Sequence, residues 1–339
     1  MSQWLSGPRT LAAAVGVASV LMSGTASAEV SEVRLAQQFG LSYLPLIIAK
    51  HENLIEKHAR EAGLGEIKVT WAQLSGGAAT NDALLSGGID FAAAGIGPVL
   101  TIWDKTRGNY DVRGVVALDA TPLFLNTNNP NVQSLADFTD RDRIAVPAVK
   151  VSIQSVVLQI AAEQAFGEGR HEQLDNLTVS LRHPDATAAL LSGGTEITAH
   201  FATPPFSFQQ LEDPNIHRVL SSYDVLGGPA TLNVLYTTAK FRNDNPGVYR
   251  AVIAAIEEAN EIIASDKARA AEIYVTAEQS NLTPEFVRRI ISDEDISYRT
   301  TPLNTQVIAD FLYRTGSIKT KPESWKDYFF PEVHGDAGS

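Results

Sequence analysis

The chain has 339 residues, long enough for roughly two domains of about 150 residues each and for a sizeable core. With 44% apolar and 19% charged residues it is too apolar for a mainly disordered chain, and its net charge of −12 disfavours a phosphate backbone as partner. There is no cysteine, which excludes disulfides, thiolate metal sites and a thiol nucleophile.

The N-terminus reads as a secretory signal peptide over residues 1–28. Arg9 is its only charged residue, Leu11 to Met22 is an apolar run too short for the roughly 20 residues that span a bilayer, and Ala26-Ser27-Ala28 has the small-x-small form of a cleavage site. No cysteine follows to carry a lipid, and a single arginine means no twin-arginine export pair. The pattern predicts an acidic, exported, periplasmic protein beginning at Glu29.

Beyond that point an internal repeat sets the architecture. ALLSGG occurs at Ala83–Gly88 and again at Ala189–Gly194. Strands predicted at 33–38 and 67–72 return at the same spacing at 143–148 and 177–182, and a third strand follows each ALLSGG, at 89–94 and 195–201. The paired glycines predict a left-handed residue ending each ALLSGG helix. Strands alternating with helices imply parallel sheets with helices on both faces, so each half is a small α/β unit. In such sheets ligands sit beyond the carboxyl ends of the strands, where helix N-termini point, and two halves facing each other make a cleft. After a strand at Asn233–Thr237 the pattern becomes helical. Asn245-Pro246, Thr283-Pro284 and Thr305 open three helices, the last ended by Gly316, and no further strand is expected. This tail is expected to return to the first half. The predicted division is therefore 29–122 and 231–339 for lobe 1 and 123–230 for lobe 2, with crossings near Thr121–Asn126 and Leu226–Leu232.

Enzyme signatures fail for nameable reasons. His51-Glu52 lacks the second His of a zinc helix, because position 55 is Ile. Gly95-Ile96-Gly97 lacks the third glycine of a dinucleotide loop, and Asp293-Glu294-Asp295 reads as a solvated turn. The seven histidines are scattered, most of them on solvated helices or loops. No metal or cofactor is called for.

What recurs is a strand end, then a small or polar residue, then a helix start. The first half shows it at Gln37, Gln38, Phe39, Gly40, Ser42 and Tyr43, and again at Gly95, Ile96 and Gly97. The second half shows it at Lys150, Val151 and Ser152, and at His200, Phe201, Ala202 and Thr203 before Pro204-Pro205. Such starts offer free N–H groups and the positive end of a helix dipole, an arrangement suited to a small anion. Each hydroxyl here serves either a ligand or its own backbone as a cap. Lys150 and His200 are the expected sources of positive charge, and Phe39 and Tyr43 either stack on a ligand or belong to the core.

These residues carry a family resemblance. The opening VRLAQQFGLSYLPLIIAKHENLIEK, the stretch ALLSGGIDFAAAGIGPVL, the crossing LNTNNPNVQSLADFTDRDRIAVPAVKVSIQSVVLQ, then HFATPPF and LNVLYTTAKFRNDNPGVYRAVIAAIEEANEII are similar to the periplasmic substrate-binding proteins of nitrate, sulfonate, taurine and bicarbonate ABC importers. The resemblance implies a two-lobed type II periplasmic-binding-protein-like fold that closes on a ligand by hinge bending. It implies no catalysis and no cofactor; its partners would be a small-molecule anion, a membrane permease and that permease's ATPase, and not nucleic acid. A monomer suits a protein that must close and dock. Carried over by position, the ligand-binding residues are Gln38, Phe39, Ser42, Tyr43, Gly76, Gly95, Ile96, Lys150, Ser152, His200 and Thr203. The sequence departs from the pattern at Val151-Ser152, where many relatives have glycine-serine, and near Thr203-Pro204-Pro205, where many have Trp-Glu-Pro. The expected ligand is a sulfonate such as taurine or another alkanesulfonate, or an aromatic or aliphatic carboxylate. Alternative readings are an exported enzyme or a ligand sensor using the same cleft, or a pyrimidine-precursor binder; the cysteine motif of the superfamily's thiamine-pathway enzyme is missing.

Overall fold

A computed structural model describes residues 1, 2, 4 and 29–339, so the signal-peptide reading lies outside the described residues. The first lobe opens with β1 (Glu32–Gln37), α1 (Leu44–His51), α2 (Leu54–Glu61), β2 (Lys68–Gln73), α3 (Gly77–Leu85), β3 (Phe91–Gly95), α4 (Ile96–Thr106), β4 (Arg113–Ala117) and the short β5 (Asp119–Ala120). After a crossing come β6 (Phe124–Thr127), β7 (Ile144–Val146), α5 (Ile153–Phe166), β8 (Thr178–Ser180), α6 (His183–Ser192), β9 (Ala199–Ala202), α7 (Phe206–Gln210), β10 (His217–Ser221) and α8 (Ser222–Leu226). A second crossing leads to β11 (Asn233–Thr237), α9 (Ala239–Asp244), α10 (Pro246–Ser265), α11 (Lys267–Ala277), α12 (Pro284–Ile291), β12 (Ser297–Tyr298) and α13 (Gln306–Arg314).

The repeat in sequence is a repeat in topology. One sheet runs β2-β1-β3-β11-β4 and the other, read from its far edge, β8-β7-β9-β6-β10. In each, four strands point the same way and one runs against them: β11 pairs antiparallel with β3 and β4, and β6 with β9 and β10. The strand that runs backwards is in both cases the one entering from the other lobe. Gly87 and Gly193 after the two ALLSGG helices take φ of +72° and +62°, the left-handed conformation their position demands.

Several features depart from the sequence reading, among them the strands β4, β6 and β10, which it did not include. The tail contains a strand, β12, pairing with β5 beside the crossing. Asn245, expected to cap α10 with its side chain, instead accepts the Val30 N–H at 2.9 Å. The cap is supplied from more than 200 residues away: the Glu29 carboxylate accepts the N–H groups of Gly247 at 2.8 Å and Val248 at 2.7 Å. A Cβ at Gly247 would lie 2.8 Å from that carboxylate, so the glycine makes room for it. The negative charge also meets the positive end of a 20-residue helix. That helix buries Val248, Val252, Ala255, Ile256, Ala259 and Ile263 along one face, packed on α1 and α2, so the tail belongs with the first sheet. The tail also reaches the second lobe through Arg314 on Glu163, Arg289 on Glu212 and the Tyr223 hydroxyl on the Asp295 carbonyl. Arg314 holds the Glu163 carboxyl down to about 2. No helix among the described residues is long and apolar enough to cross a membrane.

Glu29→Ala removes the only side chain among the described residues bonded to the α10 N-terminus and is expected to cost about 1–2 kcal/mol, read as a lower Tm or denaturant midpoint with an unchanged m-value. Glu29→Gln, which keeps an acceptor but loses the charge, should recover part of it.

Candidate functional site

Where the carboxyl ends of the two sheets meet, backbones approach more closely than side chains would permit. Gly40, Gly76, Gly95 and Gly97 of the first lobe face Pro204, Pro147, Ile153 and Val156 of the second. A Cβ on them would lie 2.8 Å from Pro204 O, 3.2 Å from Pro147 O, 2.5 Å from Ile153 Cγ2 and 3.2 Å from Val156 Cγ2. The Leu41 N–H donates to Pro204 O at 2.8 Å across the gap. The lobes are closed on each other. Between them remain a cavity of ≈ 20 Å³, room for about one water, and, sharing Phe39 with it, a wider groove of ≈ 450 Å³ bordered by Gly40 and Tyr274 of the first lobe and Pro184 and Phe206 of the second.

Helix N-termini from both lobes converge on this cavity. Tyr43 precedes α1, Gly77 opens α3, Gly95 precedes α4 and Pro98 lies in its first turn. Opposite them, Ser152 caps α5, Ile153 and Gln154 form its first turn, and His183 opens α6. First-turn N–H groups have no partner within their helix, and the dipoles add a positive potential. Among the described residues, no lysine or arginine lines the cavity.

Of the expected residues, Gln38, Phe39, Tyr43, Gly95, Ser152 and Thr203 line it. Gln38 Nε2 donates to Ala93 O at 3.3 Å, and the Arg182 guanidinium lies 5.8 Å above the Phe39 ring. Ser152 Oγ accepts the Ser155 N–H, so this hydroxyl also serves as a helix cap. Five expected residues lie off the wall. Gly76 packs under Pro147, and the Ile96 N–H is taken by Leu232 O at 2.9 Å. Ser42 is fully buried behind Thr203. Lys150 points away, its ammonium 3.2 Å from Glu172 and 3.5 Å from Asp175, so it brings no charge to the cleft. His200 is fully buried behind His183, and burial holds its pKa well below the usual range, so it brings none either.

The residues that sequence reading missed are Gly77, Pro98, Ile153, Gln154, His183, Leu232 and Asn233. His183 is the most informative, because its hydrogen-bond polarity is set from a distance. Asn126 Nδ2 donates to the backbone carbonyl of Ser207 at 2.9 Å, which fixes the orientation of that amide. Asn126 Nδ2 then also donates to Gln210 Oε1 at 3.0 Å, leaving Gln210 Nε2 to donate to Thr187 Oγ1 and, at 2.6 Å, to His200 Nδ1. His200 must carry its proton on Nε2, from which it donates to His183 Nδ1 at 2.8 Å. With Nδ1 accepting, His183 carries its proton on Nε2, which lies 3.2 Å from Gln154 Nε2, itself a donor, so the two cannot hydrogen-bond with the amide in this orientation. Either Gln154 turns its oxygen to accept that proton or an oxygen in the cavity does. Burial pushes His183 down to about 3, so it is a neutral donor at ordinary pH.

A second relay starts at the crossings. Asp119 is fully buried; its Oδ1 accepts the Asn233 N–H at 3.0 Å and its Oδ2 the Thr121 hydroxyl at 2.6 Å. Thr121 Oγ1 lies 3.0 Å from Ser42 Oγ, which lies 2.7 Å from Thr203 Oγ1 on the cavity wall. Desolvation outweighs these hydrogen bonds and pushes the carboxyl up to about 7. Tyr43 completes the wall by donating its hydroxyl to Asn233 Oδ1 at 3.0 Å.

The family model that matches the chain, over residues 26–277, is described as the NMT1-like family. Among solved structures, the alkanesulfonate-binding protein SsuA from Xanthomonas axonopodis pv. citri bound to MOPS aligns with TM-score 0.69 at 19% identity, covering 87% of this chain and 96% of that one. The periplasmic aliphatic sulphonate binding protein SsuA from Escherichia coli aligns with TM-score 0.65 at 17% identity, covering 91% and 100%. The periplasmic nitrate-binding protein NrtA from Synechocystis PCC 6803 gives 0.66 and 17%, covering 88% and 84%. At these identities the likeness is one of fold. No curated protein matches the chain.

Two outcomes follow from this geometry. Gly95→Ala places a methyl against Ile153 and should hold the lobes apart, giving a larger radius of gyration by X-ray scattering with unchanged far-UV dichroism. Asp119 keeps its proton in the folded chain up to about 7, whereas the unfolded chain loses it near 4. Between those values the unfolded state binds fewer protons, so this group's contribution to stability falls as pH rises and levels off above 7. Asp119→Asn should remove that fall, gaining roughly 1–4 kcal/mol on wild type between pH 4 and 7.5 in denaturant titrations.

Proposed function

The chain belongs to the NMT1-like family, and from that premise we propose that it is the exported solute-binding component of an ABC importer, holding a small organic anion between its lobes and passing it to a permease driven by an ATPase. The observation that carries this reading is the convergence of helix N-termini from both lobes on one polar cavity without a cationic side chain. An anionic oxygen there would be met by neutral donors, the His183 Nε2–H among them, and by dipoles. This is the environment in which a desolvated sulfonate or carboxylate keeps its charge without a salt bridge. The sulfonate- and nitrate-binding proteins that share the fold support the same class of ligand. Ligand-binding roles go to Gln38, Phe39, Tyr43, Gly95, Ser152 and Thr203, together with Gln154, His183 and Asn233.

The mechanism is a population shift. A cavity of ≈ 20 Å³ is smaller than any organic sulfonate, so the ligand enters when the lobes part and is held when they close less tightly than they do here. The hinge of that motion lies at the two crossings, residues 121–123 and 227–232, dividing the chain into 29–122 with 231–339 and 123–230. Action in the periplasm as a monomer completes the proposal.

Thermal shift of the mature protein, unfolded and refolded to strip ligand, against sulfonates, aliphatic and aromatic carboxylates, nitrate, bicarbonate and pyrimidines tests it. A ligand at 100 times its Kd should add about 2.7 kcal/mol. His183→Ala should weaken the responding ligand about tenfold or more while leaving the fold intact. No response to any anion, or a response only to pyrimidines, rejects the ligand class.

A further inference from the structure

The two protonation states of Asp119 favour opposite donor directions along the hydroxyl relay from the crossing to the cleft. With Asp119 ionised, Thr121 must donate to Asp119 Oδ2, Ser42 to Thr121 and Thr203 to Ser42, because each hydroxyl has one proton. Thr203 then turns its proton away from the cavity and shows lone pairs to it. With Asp119 protonated, the carboxyl donates to Thr121, Thr121 to Ser42 and Ser42 to Thr203, and the Thr203 proton is released into the cavity. One proton at the crossing thus reverses a hydrogen bond at the cleft.

We propose that Asp119 is a positioning residue whose protonation converts Thr203 from acceptor to donor, so that binding of a small anion in this cleft is coupled to uptake of one proton at Asp119. The inference rests on the binding-protein reading and deepens it. An anion in the cleft needs donors and is repelled by a second buried negative charge nearby, so both effects favour the neutral carboxyl. The balance is poised, since Asp119 titrates at about 7. The titratable groups facing it are Tyr43 from the turn before α1, Tyr223 from α8 and Tyr298 from β12, all phenols pushed upward by burial and neutral across the range concerned. The two buried histidines are pushed downward and stay neutral there as well. Asp119 is therefore the group in this buried network that changes charge near neutrality.

Ethanesulfonate and nitrate, which do not titrate between pH 5.5 and 9, are the probes. Calorimetric titration of the wild type should give a Kd that is nearly constant below pH 6 and weakens above 7, approaching tenfold per pH unit. Runs at pH 7.5 in buffers of different ionisation enthalpy should show net proton uptake on binding. Asp119→Asn, whose amide can donate permanently to Thr121, should bind with the low-pH affinity throughout and take up no proton. Thr121→Val, which cuts the relay without touching the cavity wall but also removes the hydroxyl that Asp119 Oδ2 accepts and so pushes that carboxyl further up, should move the pH dependence to higher pH and weaken binding at low pH. Binding with a pH-independent Kd, or the same pH profile in wild type and Asp119→Asn, overturns the inference and leaves the binding-protein reading standing. No binding of either probe at any pH, together with no anion in the thermal screen, overturns both.

Discussion

A buried carboxylate holds the two connections between the lobes side by side. Asp119 lies on the outgoing segment and takes the N–H of Asn233, on the returning one, with its side chain; its carbonyl takes the Leu232 N–H, while the Leu118 N–H reaches back to Asn233 O. These bonds tie the two crossings into one unit. Burying a charge so completely is costly, and the donors around it do not fully offset that cost, which is why the group holds its proton to about 7. A neutral polar residue would make a similar hinge more cheaply. What the carboxylate adds is a connection, through Thr121 and Ser42, to Thr203 on the opposite lobe.

The same double crossing explains the shape of both sheets. Each lobe lacks one strand until the chain arrives from the other, and that strand runs antiparallel to its neighbours. In the first lobe β4 joins the sheet through β11 and is bridged on its other side by Phe329, so this edge forms only after residue 237 is in place. The contact joins residues more than 100 positions apart, a cost in loop closure that ties the folding of the first lobe to the rest of the chain. The cap that Glu29 places on α10 works over a still longer separation and fastens the segment before β1 to the tail helices.

Closure depends on what is missing from the glycine face. Four glycines let the second lobe's backbone and apolar side chains come within van der Waals contact of the first, which leaves the cavity polar and small. The bridges from α12 and α13 to the second lobe are solvent-accessible ion pairs worth about 0–1 kcal/mol each, so they bias the closed arrangement without locking it.

The order of elements was legible from local signals. Period-two strands, the ALLSGG helix ends, Thr283 as a cap and Gly316 as a stop all act within a few residues, and the strand at 233–237 was placed to the residue. The repeat made the two-lobed arrangement readable, and with it six of the residues on the cavity wall, because they follow strand ends directly. What was not legible depends on partners distant in sequence. β4, β6 and β10 are short segments whose strand character comes from pairing across the sheet. Lys150 sits beside Ser152 in sequence, yet Glu172 and Asp175 draw its ammonium away. His183 looked like a solvated histidine, and only the buried line from Ser207 through Asn126, Gln210 and His200 makes it a neutral donor facing the cleft. Sequence by itself determined the elements and their repeat, because propensity, capping and periodicity are local. Tertiary structure alone decided the charge and hydrogen-bond polarity of the cleft, because desolvation and relay direction belong to the environment that distant residues build around each group.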